Sequence, residues 1–569
     1  MSMMKRIFAL LLTVAMLACA LTACNQPNTP QETTPVGTTE VPETTTPEEV
    51  TTPAEPEIPT TPPQKITSFY VTSGKSAVET FAATELKWYL AEKNLPLSPD
   101  GYHISIVIDE QVVKDGYTII AYDENGLTIA GGNNRGLAYG IYDFLEKYIG
   151  VHFYTPDTIV VDNEDVMIGG GVLEVFDPAF EILRNPWQPI EKLAEKDGGN
   201  TAELGSTKVI ALNTIAGTGS VTTCLSDSKN FEKALEKVRL QLNGNVDAVR
   251  FSPVTEYDAY CTCDKCARVH EEEGSPAGIY IRFLNKLYEA VVAEYPGIQF
   301  EITPRAYLSK APSVTKPVDG VWIRFDNDKC HISHSVTDPN CPEAVAFCES
   351  IQSWGTFCDN VYIEYALTAY KDFLPVFANL GAMREDICYF AECGVDSIRF
   401  TGNIVCPTGE FGELRVYLLS KLLQNPMMSE EEYYGYMDAF LKSFYGEGWQ
   451  YIRQFIDKII ELAADGHQTK KDSPFAAITE EEYLANEGDF DEWWNRAESL
   501  AGERAEFVKR ARYQWRYIKL CLHPNAEDAQ ALITDAAGGQ RVAWRDKQWN
   551  VDTARSNLNL APTEWVYKS

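Results

Sequence analysis

The chain has 569 residues, is 45% hydrophobic and 11% aromatic, and carries 49 basic against 82 acidic residues, a net charge of −33. That is apolar material for a large globular body of two or three domains. The charge argues against nucleic acid and anionic lipid headgroups as partners, and against a polyanionic substrate except at a local basic pocket.

The N-terminus reads as an export leader. Lys5 and Arg6 precede a mostly apolar stretch over residues 7–21, too short for a stable transmembrane span. Leu21-Thr22-Ala23-Cys24 looks like a lipobox, in which Cys24 receives a diacylglycerol and becomes the new N-terminus. The alternative is an ordinary signal peptide with a chance cysteine. The expected location is therefore outside a bacterial cell, with membrane contact through the lipid alone. Residues 25–64 are nearly all Thr, Pro, Glu and small residues. Such a segment cannot bury enough surface to offset chain entropy, so it reads as a disordered stalk.

Residues 65–165 predict a small α/β domain. Val78, Phe81, Ala82, Leu86, Tyr89 and Leu90 fall on one helical face. Residues 104–108 read as a strand, and 117–122 with 127–130 as a hairpin about Asp123-Glu124-Asn125-Gly126. The run Gly131-Gly132-Asn133-Asn134-Arg135-Gly136 lacks G-x-G-x-x-G spacing, so a strand-to-helix turn is expected rather than a dinucleotide site.

From 178 to 425 strands and helices alternate. Strands are expected at 180–183, 209–212, 247–251, 300–304, 321–325, 361–365 and 397–401, with helices at 229–241, 279–294, 342–353 and 411–423. Repeated βα units predict an α/β fold of the (β/α)8 barrel type, with one strand unlocated. A doubly wound sheet would call for a phosphate loop, and the sequence offers none. Residues 427–569 predict a C-terminal helical region, with helices at 433–444, 449–462 and 492–520. Trp493, Trp494, Trp515 and Tyr517 in the last suit helix packing better than a sugar groove.

Of the 14 cysteines, Cys261, Cys263 and Cys266 are closely spaced. Three thiolates at this spacing suit one tetrahedral cation, with Cys330, His331 or His334 as the fourth ligand. Disulfides are the competing reading for an extracellular chain. The metal expected is a structural zinc, with Cys330 taken as its fourth ligand. No cofactor is expected for catalysis, because four filled positions leave none for substrate.

Several stretches resemble known families. Residues 131–157, GGNNRGLAYGIYDFLEKYIGVHFYTPD, are similar to the end of the domain preceding the barrel in alpha-glucuronidases and related glycosidases. Residues 260–266, YCTCDKC, and 409–418, GEFGELRVYL, resemble the bacterial domain-of-unknown-function family 4838, as do 360–365 followed by 373–380, FLPVFANL. The resemblance spans roughly residues 70–520. It implies an α/β cap, a glycosidase-type barrel and a helical C-terminal region. The chain departs from the pattern after the first barrel strand, where the loop is short and Asn213 stands in a His position.

Glycoside cleavage needs one protonated acid and a second carboxylate as nucleophile or base, placed at C-terminal strand ends. Glu256, shortly after the 247–251 strand, and Glu364, at the end of the 361–365 strand, are the expected catalytic pair, with Glu410 third. Glu413 and Arg415 read as a structural pair opening a helix. Arg184, Trp187, Asn213, Arg305 and Arg399 are expected to line the substrate site. The expected function is a lipid-anchored glycoside hydrolase acting on an extracellular glycan. The rival is a carbohydrate-binding lipoprotein that kept the barrel without the chemistry, favoured by Asn213 and the short loop. An amidase or protease at the Cys-rich stretch is disfavoured, since neither H-E-x-x-H nor a nucleophile elbow is present.

Overall fold

The computed structural model describes residues 60–180, 206–211 as backbone, 223–326, 332–369, 374–401 and 410–537, with breaks at 124, 156–157, 243–245 and 254–259. These residues lie within one compact unit, Pro59–Ser569. Among them no helix is long and apolar enough to cross a membrane.

The N-terminal sheet begins earlier than composition suggests. Strand β1 (Thr61–Lys65) is fully exposed and pairs antiparallel with β8 (Met167–Phe176), so the expected stalk gives way to structure at Thr61 and the domain extends past residue 165. An edge strand needs only backbone hydrogen bonds, and Pro62 and Pro63 are tolerated where the register shifts. Inside the edge lie β2 (Phe69–Ser73), β3 (Tyr102–Ile108), β4 (Tyr117–Asp123) and β5 (Gly126–Gly131), in the order β1-β8-β4-β5-β3-β2. Helix α1 (Ala77–Glu92) is started by a Ser76–Glu79 capping box, and Glu79 also accepts from the Ile108 N–H at 3.0 Å. The turn into α2 (Asn134–Phe144) is capped by Asn133, whose side chain accepts from the Gly136 N–H at 2.9 Å. A Cβ at Gly132 would meet the Val113 carbonyl oxygen and one at Gly136 that of Gly116, so close backbone approach accounts for both glycines. A hairpin, β6 (Val151–Thr155) and β7 (Thr158–Val161), completes the domain.

The second sheet holds β9 (Ser206–Ala211), β10 (Val246–Ser252), β11 (Gln299–Ile302), β12 (Val321–Asp326), β13 (Val361–Ala366) and β14 (Ser397–Thr401). All are parallel and follow chain order across the sheet. Between strands run α3 (Ser228–Gln241), α4 (Asp264–Glu273), α5 (Ala277–Glu289), α6 (Pro342–Gly355) and α7 (Met383–Glu392). The expected (β/α)8 barrel is thus represented among the described residues by six strands in an open sheet. The 180–183 strand falls largely outside them, and among the described residues no pairing joins β9 to β14.

One face of this sheet is apolar. Val249, Phe251, Phe300, Ile302, Ile323, Phe325, Ile363 and Tyr365 pack with Leu284, Leu287, Ile351, Trp354 and Phe390 from the helices. Because side chains alternate along a strand, the intervening residues Arg250, Glu301, Arg324, Asp326, Tyr362, Glu364 and Arg399 share the other face.

Helix α8 (Gly412–Gln424) leads into α9 (Glu430–Tyr445), α10 (Trp449–Ala463), α11 (Glu480–Ala485), α12 (Glu487–Leu500), α13 (Ala505–Ala511), α14 (Tyr513–Leu522) and α15 (Ala526–Ala537). The single helix expected at 492–520 is three, because Gly502 adopts φ +55° and ends the first. Trp494, Trp515 and Tyr517 are buried in the main core, as expected of packing residues. Lys421 on α8 forms an ion pair with Glu146, and Tyr154 lies 5.4 Å from Tyr417, joining the N-terminal sheet to the helices.

Candidate functional site

The polar face of the parallel sheet is an ion-pair ladder. Arg250 and Glu301 are register partners on β10 and β11, and Arg250 Nε donates to Glu301 Oε2 at 2.9 Å. Asp326 and Glu364 are register partners at the ends of β12 and β13. Arg324 lies between them, donating from Nη1 to Asp326 Oδ2 at 2.7 Å and from Nε to Glu364 Oε2 at 2.9 Å. Arg324 Nη1 also donates to the Thr303 hydroxyl at 3.1 Å, and Arg305 pairs with Asp326. Burial alone would pull the Arg324 pKa down, but the Glu364 and Asp326 carboxylates carry it above its usual value. Burial and the nearby Glu301 push Tyr362 up.

Glu364 is held asymmetrically. Arg324 Nε, Arg324 Nη2 and, at 3.5 Å, Arg250 Nη2 all converge on Oε2, and among the described residues no hydrogen bond falls on Oε1. Its side chain is 15% exposed. Arg399, its register partner on β14, has a buried Nε without a hydrogen-bond partner among the described residues. A carboxylate fixed through one oxygen, beside an unfilled guanidinium donor, can present the other oxygen to a ligand.

Of the expected site residues, Glu364, Arg305 and Arg399 are thus brought to one polar face. Glu256, Arg184, Trp187 and Asn213 lie outside the described residues. Glu410 is not on an open surface. It is 1% exposed and ion-paired with Arg415, whose Nε donates to Asn379 Oδ1 at 2.6 Å and whose Nη2 donates to the Phe377 carbonyl at 2.5 Å. A solvent-borne glycan does not reach that carboxyl, because Glu410 follows the strand end but folds under α8. The buried partner of Arg415 is accordingly Glu410. Glu413, expected to pair with it, pairs instead with Arg510. Burial pushes the Glu410 pKa up, to about 8, with Arg415 opposing.

The cysteines form a second constellation. Cys261, Cys263 and Cys266 meet Cys224, with one sulfur from each lying within 4.8 Å of the others. Cys224 Sγ is 3.8 Å from Cys263 Sγ and 3.7 Å from Cys266 Sγ. Four thiolates at ~2.3 Å from a tetrahedral cation stand about 3.8 Å apart, whereas a disulfide requires ~2.05 Å. All four are free thiols here. Among the described residues the fourth sulfur is that of Cys224, and the expected Cys330 lies outside them. His334, named as another candidate, belongs to a different group. The Cys266 amide N–H holds the Cys263 thiol down, to about 7, while burial raises Cys224 to about 12. Cys224 sits just before α3, and Cys261 and Cys263 just before α4, so the cluster joins two loops that follow strands of the polar-faced sheet.

The sequence carried a signal for Arg250, Glu301, Arg324 and Asp326. In V-R-F, F-E-I and W-I-R-F-D the charges alternate with apolar residues, whereas parallel strands buried on both faces read as continuous apolar runs. Nothing local marks Cys224.

Residues 214–457 match the family described as a domain of unknown function, DUF4838. The match covers β10 to β14, the four-thiol cluster from Cys224 onward, the polar face and α8 to α9. No curated protein matches the chain. Among solved structures, the chain is similar to a GH115 4-O-methyl-alpha-glucuronidase with specificity for decorated arabinogalactans, at 12% identity and TM-score 0.42 over 89% of this chain and 77% of that one. It is also similar to CpGH84B, at 10% identity and TM-score 0.39 over 88% and 98%. A third is the GH20 beta-N-acetylhexosaminidase from Streptomyces coelicolor A3(2), at 11% identity and TM-score 0.34 over 68% and 94%.

Proposed function

We propose that the protein is a glycoside hydrolase working outside the cell, tethered through lipidated Cys24. The carrying observation is Glu364: among the described residues, a strand-end carboxylate held through Oε2 alone, beside an Arg399 Nε that has no partner there. In this reading Glu364 Oε1 is the nucleophile or base, and Arg399 and Arg305 hold substrate hydroxyls or a carboxylate. Glu256, which follows β10 in the sequence, is the acid. The substrate is a neutral or locally charged glycan, in keeping with the net charge of −33.

Zinc at Cys224, Cys261, Cys263 and Cys266 is part of the proposal. Four thiolates fill a tetrahedral cation, so the ion would clasp the loops bearing Cys224 and Glu256 rather than bind substrate.

One observation favours a carbohydrate-binding protein without turnover. On the polar face, Glu301, Asp326 and Glu364 are each ion-paired with arginine, an arrangement that suits holding a ligand. The deciding experiment uses residues 59–569, which keep β1, against chromogenic glycosides and a glycan array. Hydrolysis lost in Glu364→Gln supports the enzyme. Binding without hydrolysis of any bound glycan supports the rival.

A further inference from the structure

A second cluster of ligand-type side chains lies beyond the end of β12. His334 and Cys341 belong to the loop that leads from β12 into α6, and His467 to the connection between α10 and α11. Each offers one ligand atom, all within 4.8 Å of one another.

The two segments are fixed to each other by one backbone pair and by the Ser333 hydroxyl. The Ile332 N–H donates to the Gln468 carbonyl at 2.8 Å, the Ser333 hydroxyl to the Gly466 carbonyl at 2.5 Å, and the Gln468 N–H to Ser333 Oγ at 3.3 Å. His334 and His467 consequently meet edge to face, with ring centroids 5.2 Å apart. These residues come from segments far apart in the chain, so no spacing motif announces them.

The chemistry of each side chain suits a cation. His334 Nδ1 lies 2.9 Å from the Ser335 carbonyl oxygen, which can only accept. That bond puts the proton on Nδ1 and the lone pair on Nε2, the arrangement that second-shell partners impose on metal-bound histidines. Asp338 Oδ2, 3.8 Å from Nδ1, adds a carboxylate behind the ring. Cys341 is the N-cap of α6, with Pro342 following and the Ala344 N–H directed at its sulfur at 3.5 Å. Cys341 Sγ donates to Glu343 Oε2 at 3.7 Å, and a cation would take the place of that proton.

We propose that His334, Cys341 and His467 form a second metal site, for zinc or a similar borderline divalent cation. Two imidazoles and one thiolate are its donors, at ~2.0–2.3 Å from the ion. His334 and Cys341 are buried while His467 is exposed, so the fourth position opens to water on the His467 side. Binding releases the Cys341 proton and ties the loop following Asp326 to the helical region. The site is independent of the four-thiol cluster and of any glycosidase activity.

The test is metal content of the full chain after dialysis against zinc, followed by cobalt substitution. Two equivalents are expected. Cys341→Ser should lose one, together with the weaker single-thiolate charge-transfer band. Cys224→Ser with Cys263→Ser should lose the other, with the intense band. If Cys341→Ser misfolds, the exposed His467→Ala serves instead, and should lose the same equivalent with unchanged near-ultraviolet circular dichroism. Wild-type content that neither Cys341→Ser nor His467→Ala reduces overturns the second site, whatever the four thiols do.

Discussion

Arg324 and Glu364 meet at a single oxygen: Nε and Nη2 of the guanidinium both lie 2.9 Å from Glu364 Oε2. If Oε1 does the chemistry, Glu364→Gln keeps the shape and removes the nucleophile or base. Turnover of a glycoside substrate should fall by roughly 10²–10⁴-fold with little change in circular dichroism. A variant within a few-fold of wild type would exclude Glu364 from the chemistry.

Arg324 also carries the Asp326 carboxylate. Arg324→Met leaves two largely buried carboxylates without their main partner and should cost about 3–5 kcal/mol of stability. Urea unfolding monitored by tryptophan fluorescence measures it. A loss below about 1 kcal/mol would mean that water and Arg305 compensate.

Asp386 on α7 is fully buried, accepting from the Tyr365 hydroxyl at 2.7 Å and the Val336 N–H at 2.8 Å. Burial pushes its pKa up from 3.8 to about 6, against those hydrogen bonds. With the folded value raised, its contribution is complete below the unfolded value and is lost as pH rises through about 6. Relative to Asp386→Asn, wild type should lose up to about 3 kcal/mol between pH ~4 and ~6. Paired denaturant curves across that window that stay parallel would refute it.

Cys224→Ser should lower bound zinc by one equivalent, and Cys330→Ser should leave it unchanged at the four-thiol site. Elemental analysis with thiol alkylation distinguishes this from disulfides, which would leave the thiols unreactive until reduced.

Cys24→Ala should release the protein from membranes without altering its folded body. A variant still pelleting with membranes after a high-salt wash would contradict lipidation.

Periodicity determined much of this molecule before any tertiary contact. Alternation in residues 321–325 and 361–365 located β12 and β13, the Gly131–Gly136 spacing excluded a nucleotide loop, and the tryptophans around 494 and 515 were legible as packing residues. These are properties of neighbours in sequence, where a period of 2 or 3.6 decides which side chains share a face. Tertiary structure decided the rest. It made an edge strand of Thr61–Lys65, whose composition suggested a stalk, because backbone pairing needs no apolar side chains. It brought Cys224 to Cys266, His467 to His334, and Arg324 between Asp326 and Glu364, and it buried Glu410 against Arg415. Each of these turns on distance between segments far apart in the chain or on which way a loop folds, and neither is encoded in local spacing.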